Sequence, residues 1–177
     1  RVLFRSDAGL SVAADACGNI IGTLKGADPA LPPVVCGSHF DTVKEGGIFD
    51  GCLGVLAGIE VLQTIREAGM QPQRSLMVIG FRDEEGNRFG YGMIGSRSIC
   101  GKVDAEGLQT LDQDGITLAQ AMKQAGYHPE QYAACRITPL KAYYEVHIEQ
   151  ADVLAAQGLS VGIVEGIAGL VRYKIGR

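Results

Sequence analysis

The chain has 177 residues, 46% of them apolar and 20% charged, and its 16 Lys and Arg against 20 Asp and Glu give a formal net charge of −4. That balance supports a packed core and excludes a disordered, collagen-like or coiled-coil chain. It also gives no electrostatic case for nucleic acid or a polybasic membrane surface, and no apolar run approaches the roughly 20 residues of a membrane span.

In chain order, Arg1-Val2-Leu3-Phe4-Arg5-Ser6 resembles the translation of an adapter oligonucleotide. Residues 1–6 are therefore read as a non-native leader and set aside. Residues 10–14 and 19–24 flank Cys17-Gly18 and predict a hairpin-like pair. Pro32-Pro33 then precede the apolar run Val34-Val35-Cys36, read as a buried strand ending in Gly37-Ser38-His39. Residues 51–68 carry Leu53, Leu56, Ile59, Leu62 and Ile65 in a helical pattern closed by Gly69. The next buried strand, 75–81, runs straight into Arg82-Asp83-Glu84-Glu85-Gly86. Thr117 opens a helix through Ala125, with Gln120 completing a capping box. Residues 141–147, 160–167 and 170–175 read as further strands. Strands interleaved with helices predict an α/β layered domain, a central mixed sheet flanked by helices.

The five cysteines are odd in number and widely spaced, without a C-x-x-C pair, which points to free, buried thiols in a reducing compartment. The cytoplasm is the expected location.

In open α/β sheets, ligands sit beyond the C-terminal ends of the strands. Three predicted strand ends carry acid or imidazole clusters: Gly37-Ser38-His39-Phe40-Asp41-Thr42-Val43 with Gly46-Gly47-Ile48-Phe49-Asp50-Gly51; Asp83-Glu84-Glu85-Gly86-Asn87-Arg88-Phe89; and Glu145-Val146-His147-Ile148-Glu149-Gln150. His, Asp and Glu without Cys form a nitrogen–oxygen donor set suited to Zn²⁺, Mn²⁺, Co²⁺ or Ni²⁺. In His39-x-Asp41 a carboxylate stands where it could hold the second imidazole N–H. Adjacent Glu84 and Glu85 are expected to point in different directions, one towards metal and one free to move a proton. Alone, a strand-end histidine is more often structural than ligating, and a Glu-Glu pair is usually a solvated loop. Three such clusters together favour a metal site.

Other motifs are weaker. Gly90-Tyr91-Gly92-Met93-Ile94-Gly95 matches G-x-G-x-x-G but follows an acidic loop that would repel a pyrophosphate, and is read as turn and packing glycines. Asp112-Gln113-Asp114-Gly115 lacks the remaining ligands of a calcium loop and reads as a turn before Thr117. His128 reads as a surface histidine.

The three clusters in this order resemble the M20 metallopeptidase superfamily, in its hydantoinase/carbamoylase branch of N-carbamoyl-L-amino-acid hydrolases, β-ureidopropionases and allantoate amidohydrolases. The resemblance runs from about Val12 to Arg172. It implies two divalent metal ions, with His39 and His147 on one, Asp50 bridging both and Glu85 on the second. It further implies Glu84 as general base, Asp41 as the carboxylate orienting His39, and Gln150 as a contact to the ureido end of the substrate. The chain has Ala151 where the branch usually has Gly. The second metal's remaining histidine, the lid and the dimerisation domain have no counterpart before Arg177, so the chain is expected to be truncated. Residues 7–168 are read as a partial di-metal catalytic domain and 169–177 as the start of the lid domain. The resemblance implies a homodimer for the full-length protein.

Ile167-Ala168-Gly169-Leu170-Val171-Arg172, Gly92-Met93-Ile94-Gly95-Ser96-Arg97 and Gly162-Ile163-Val164 resemble carbamoylases more than ureide-specific relatives. The expected reaction is cleavage of the carbamoyl C–N bond of an N-carbamoyl-L-amino acid, with allantoate amidohydrolase or β-ureidopropionase activity as the alternative. A nucleotide-binding domain resting on the Gly90 motif and a non-catalytic metal-binding fragment are the readings from other functional classes.

Overall fold

A computed structural model describes residues 8–167 and Gly169. The expected leader and the strand expected at 170–175 lie outside the described residues. The sheet has five strands: β1 (Ser11–Ala14), β2 (Ile20–Leu24), β3 (Val34–His39), β4 (Leu76–Phe81) and β5 (Ala142–Tyr144). Their spatial order is β1-β2-β4-β3-β5. The β1–β2 hairpin and the β2–β4 pair are antiparallel, while β3 runs parallel to both β4 and β5. The sheet is therefore mixed, as expected.

Helix α1 (Cys52–Glu67) is the crossover between parallel β3 and β4. Its buried residues Gly54, Val55, Gly58, Ile59 and Leu62 recur at helical spacing, so one stripe faces the sheet. There Val55, Ile59 and Leu62 pack with Val78, Ala8 and Leu10. The pleat turns neighbouring β4 residues the other way. Ile79 and Phe81 join Val35 and Ile99 in a second cluster. Each such side chain, fully buried, contributes about 1.5–3 kcal/mol of transfer free energy. Val78 and Ile79 are both wholly buried, so both faces of β4 are covered and β4 is the structural centre.

A third cluster lies beyond β4, formed by Cys17, Phe89, Ile94, Val103, Leu108, Leu118, Met122 and Cys135. It gathers α2 (Ile94–Ile99), α3 (Leu118–Gln124) and the 3-10 segments Gly107–Gln109 and Pro129–Cys135. The predicted capping box is present on α3: Gln120 N–H donates to Thr117 Oγ1 at 3.1 Å and Thr117 N–H to Gln120 Oε1 at 2.9 Å. Asp112 likewise closes a turn, accepting from the N–H groups of Asp114 and Ile116. All five cysteines are free, and Cys17 and Cys135 are buried as expected, but Cys100 is exposed.

Two strand expectations need correction. Residues 141–147 form a strand only over Ala142–Tyr144, because the ladder to β3 stops at the Cys36–Tyr144 pair. Residues 160–167 form no strand, although Val161, Ile163 and Ile167 alternate with smaller or polar residues. These side chains are 80%, 92% and 94% exposed. Alternation makes a segment strand-competent, but among the described residues no strand edge pairs with it. The intervening chain folds as the short helix α4 (Val153–Ala156).

Candidate metal centre

The site lies at the C-terminal ends of parallel strands β3 and β4, beside the chain that continues from β5. His39, the last residue of β3, is 3% exposed. Its Nδ1–H donates to the Asp41 carbonyl at 2.6 Å, and His147 Nδ1–H donates to the Ile148 carbonyl at 2.8 Å. A carbonyl can only accept, so each Nδ1 carries a proton and each ring turns its Nε2 outward. The two Nε2 atoms face each other at 3.3 Å. Asp50, 2% exposed, places Oδ1 3.4 Å from His147 Nε2 and 4.0 Å from His39 Nε2.

Two imidazole Nε2 atoms beside a buried carboxylate are a nitrogen–oxygen donor set of the kind a divalent cation takes. Two imidazoles on one zinc, at about 2.0–2.1 Å and a tetrahedral angle, stand roughly 3.3 Å apart. The observed spacing fits that requirement.

The second donor group joins the same histidine. His39, Glu84 and Glu85 bring one potential ligand atom each to within 4.8 Å of one another, as do His39, Asp50 and His147. The two glutamates therefore converge, contrary to the divergence expected of neighbours on a strand. Both lie past the end of β4 at Phe81, where Asp83 takes a positive φ of 49°, so strand alternation does not govern them. Burial above all, then the charges of Glu84 and Asp50, hold the Glu85 carboxyl above its ordinary value, with His39 opposing. Burial and the Asp41 charge do the same to Asp83, against Arg82. A cation would relieve this crowding.

Asp41 differs from expectation. Its carboxylate lies 3.8 Å from His39 Nδ1, too far to hydrogen-bond, and its own carbonyl holds the ring instead. The carboxylate accepts the N–H groups of Glu84 at 3.1 Å and Glu85 at 3.0 Å. It anchors the acidic loop rather than the imidazole. Gln150, in left-handed backbone at φ 58°, extends Nε2 to 3.4 Å from Asp50 Oδ1.

Two glycines let the elements meet. Gly51, at φ 66°, begins α1 so close to His39 that a Cβ there would overlap the imidazole ring. At Gly54 a Cβ would strike the Val146 carbonyl. The Gly90–Gly95 motif buttresses the acidic loop from below: Met93 N–H donates to the Glu84 carbonyl at 2.8 Å and Gly95 N–H to that of Arg82 at 2.9 Å. The exposed His128 stands 3.5 Å from Glu130, away from this cluster.

Sequence reasoning missed a set of supporting side chains. Ser38, Tyr143 and Glu145 are cross-linked beside the histidines, and Asn19 is buried behind the acidic loop. The signal available was position alone: Ser38 precedes His39, and Glu145 stands two residues before His147.

A mixed α/β sheet with imidazole and carboxylate donors gathered at its strand ends defines a catalytic domain of the M28/M20-like type. The model of peptidase family M28 matches residues 19–136, and the chain belongs to that family. The match ends before His147. An N-carbamoyl-L-amino acid amidohydrolase of Geobacillus stearothermophilus is 51% identical over 173 residues, covering 97% of this chain and 42% of that protein. A hydantoinase/carbamoylase family amidase from Burkholderia ambifaria superposes with a TM-score of 0.77 at 41% identity, covering 89% of this chain and 38% of its own. AtUAH in complex with (S)-hydroxyglycine gives a TM-score of 0.80 at 34% identity, covering 89% and 39%. The chain thus spans about two fifths of the length of the relatives it matches. Among the described residues no helix is long and apolar enough to cross a membrane.

Proposed function

We propose that the whole protein is a metal-dependent amidohydrolase that cleaves the carbamoyl C–N bond of N-carbamoyl-L-amino acids. The observation that carries this reading is the meeting of His39, Asp50 and His147, with Glu84 and Glu85 approaching the same His39. His39 and His147 would hold one divalent ion, Asp50 would bridge to a second, and Glu85 would hold that second ion. When bound, such ions polarise a carbonyl and acidify water near neutral pH.

The remaining work falls to the chain. Glu84 takes the proton of the water that attacks the carbamoyl carbon. It then gives that proton to the amino-acid nitrogen as the C–N bond breaks. The products are the amino acid and carbamic acid, which separates into carbon dioxide and ammonia. Asp41 fixes Glu84 and Glu85 through their backbone N–H groups, so the base and its neighbour move as one unit. Gln150, already beside Asp50, offers an amide to the ureido end of the substrate. Similarity to a protein named N-carbamoyl-L-amino acid amidohydrolase supports the substrate class, and similarity to proteins named ureidoglycolate hydrolase and allantoate amidohydrolase keeps a ureide as the second reading.

The test pairs two neighbouring substitutions in the full-length protein. Glu84→Gln should lower turnover of an N-carbamoyl-L-amino acid by about 10²–10⁴ with metal content unchanged. Glu85→Gln should lose metal, and chelation of the wild type should abolish turnover that added divalent metal restores. Near-normal turnover by Glu84→Gln sinks the proton-shuttle assignment, and full turnover after exhaustive metal removal sinks the metal reading. Parallel assays with allantoate and ureidoglycolate separate the two substrate classes.

A further inference from the structure

The backbone ladder between β3 and β5 ends at Cys36–Tyr144, yet His39 and His147 lie three residues further along each chain. Continuing that register pairs Gly37 with Glu145, Ser38 with Val146 and His39 with His147. Parallel strands released from their ladder diverge unless something else joins them. Here side chains take over. Tyr143 OH lies 3.0 Å from the Gly37 carbonyl and 2.9 Å from Glu145 Oε2, and Ser38 Oγ–H donates to Glu145 Oε1 at 2.5 Å. The two oxygens of one carboxylate therefore engage a hydroxyl from each strand. Ser38 is wholly buried and Glu145 lies at the exposed edge, so the tie reaches from the surface into the core.

We infer that Glu145 is a positioning residue which, through Ser38 and Tyr143, sets the separation of His39 and His147 and so the bite of the metal site. Neither Ser38 nor Glu145 is placed among the ligands; Ser38 adjoins His39, and Glu145 stands two residues before His147. Ser38 is covalently next to His39, so a shift of Ser38 carries the His39 backbone with it. Glu145 controls the entry of the segment that delivers His147. Gly54 adds a second constraint, because α1 packs against both Ser38 Cβ and the Val146 carbonyl and leaves little room for β5 to slide.

The inference rests on the metal reading above, and the experiment separates the two. In full-length protein stripped of metal, Zn²⁺ affinity is measured by competition with a chromophoric chelator, and the visible spectrum of the Co²⁺ form is recorded. Glu145→Ala should weaken Zn²⁺ binding about 10–100-fold and alter the Co²⁺ bands, as loss of an orienting partner does. Ser38→Ala should match it, and the double variant should be no worse than either single one. Glu145→Gln, whose amide oxygen can still accept from Ser38, should recover most of the affinity and the wild-type spectrum. If Glu145→Ala fails to fold, Tyr143→Phe provides the same readout with a loss of several-fold, the ring being kept. Wild-type affinity and spectrum in Glu145→Ala or, in its place, Tyr143→Phe would overturn the inference while leaving the metal site intact. A wild-type protein that binds no metal overturns both.

Discussion

Replacing Asn19 by alanine should destabilise the protein by about 3 kcal/mol and slacken the acidic loop, although Asn19 touches no proposed ligand. Its side chain is wholly buried where the β1–β2 hairpin meets α2 and the end of β4. Nδ2 donates to Asp15 Oδ2 at 2.7 Å and lies 3.1 Å from both the Gly95 carbonyl and Ser98 Oγ. Oδ1 accepts the Arg82 N–H at 3.1 Å. The substitution does not strand every partner. Asp15 keeps the N–H donors of Cys17 and Asn19, and the Gly95 carbonyl keeps Ser98 Oγ at 2.6 Å. The Arg82 N–H is left without an acceptor, which costs about 1–3 kcal/mol when buried. Loss of the charge-assisted bond to Asp15 adds on the order of 1 kcal/mol, and the emptied amide volume roughly as much again if water does not fill it.

Urea unfolding of wild type and variant, compared at equal m, measures the difference directly. Asn19→Asp is the sharper companion. It keeps an acceptor for Arg82 but faces a second carboxylate on Asp15, so it should be less stable than Asn19→Ala at neutral pH and regain stability on acidification. A loss below about 1 kcal/mol in Asn19→Ala, with m unchanged, would refute the reasoning.

Gly51→Ala should strain the left-handed start of α1 by about 1–2 kcal/mol and press on the His39 ring, lowering metal occupancy more than stability; metal analysis of folded variant checks this. The Cys17 thiol is pushed up from an ordinary 9.0 to about 12, chiefly by burial and then by Cys135. Between those values the folded protein holds a proton that the unfolded chain has lost, so stability should fall as pH rises past about 9, and Cys17→Ser should flatten that limb in an unfolding series.

Much of the fold was legible because apolar periodicity and chain punctuation agree. Residues 75–81 form a short apolar run, and the structure gives β4. Residues 51–68 carry a helical stripe closed by Gly69, and the structure gives α1. Strand ends then placed His39 and the Glu84–Glu85 loop together at the C-terminal end of the parallel strands. What escaped was conformational detail that no residue pattern encodes. Past the end of β4 both glutamates approach His39, and the Asp41 carbonyl rather than its carboxylate meets His39. Residues 160–167 show the opposite failure: alternation records a capacity for pairing, while a strand exists only where an edge is presented to it. The cross-strand tie of Ser38, Tyr143 and Glu145 could not be read before the register was known.

That register also sets when the site can come into being. His39 and His147 are 108 residues apart in sequence, and no local turn joins parallel strands. The first imidazole is in place once β3 pairs with β4, but the second arrives only when β5 docks on the far edge. Affinity for the ion shared by the two histidines should therefore be much weaker in any partly folded state lacking β5, and reach full strength when that edge closes. A divalent ion then selects the completed sheet, stabilising it by RT ln(1 + [M]/Kd), and ion uptake reports the docking of β5.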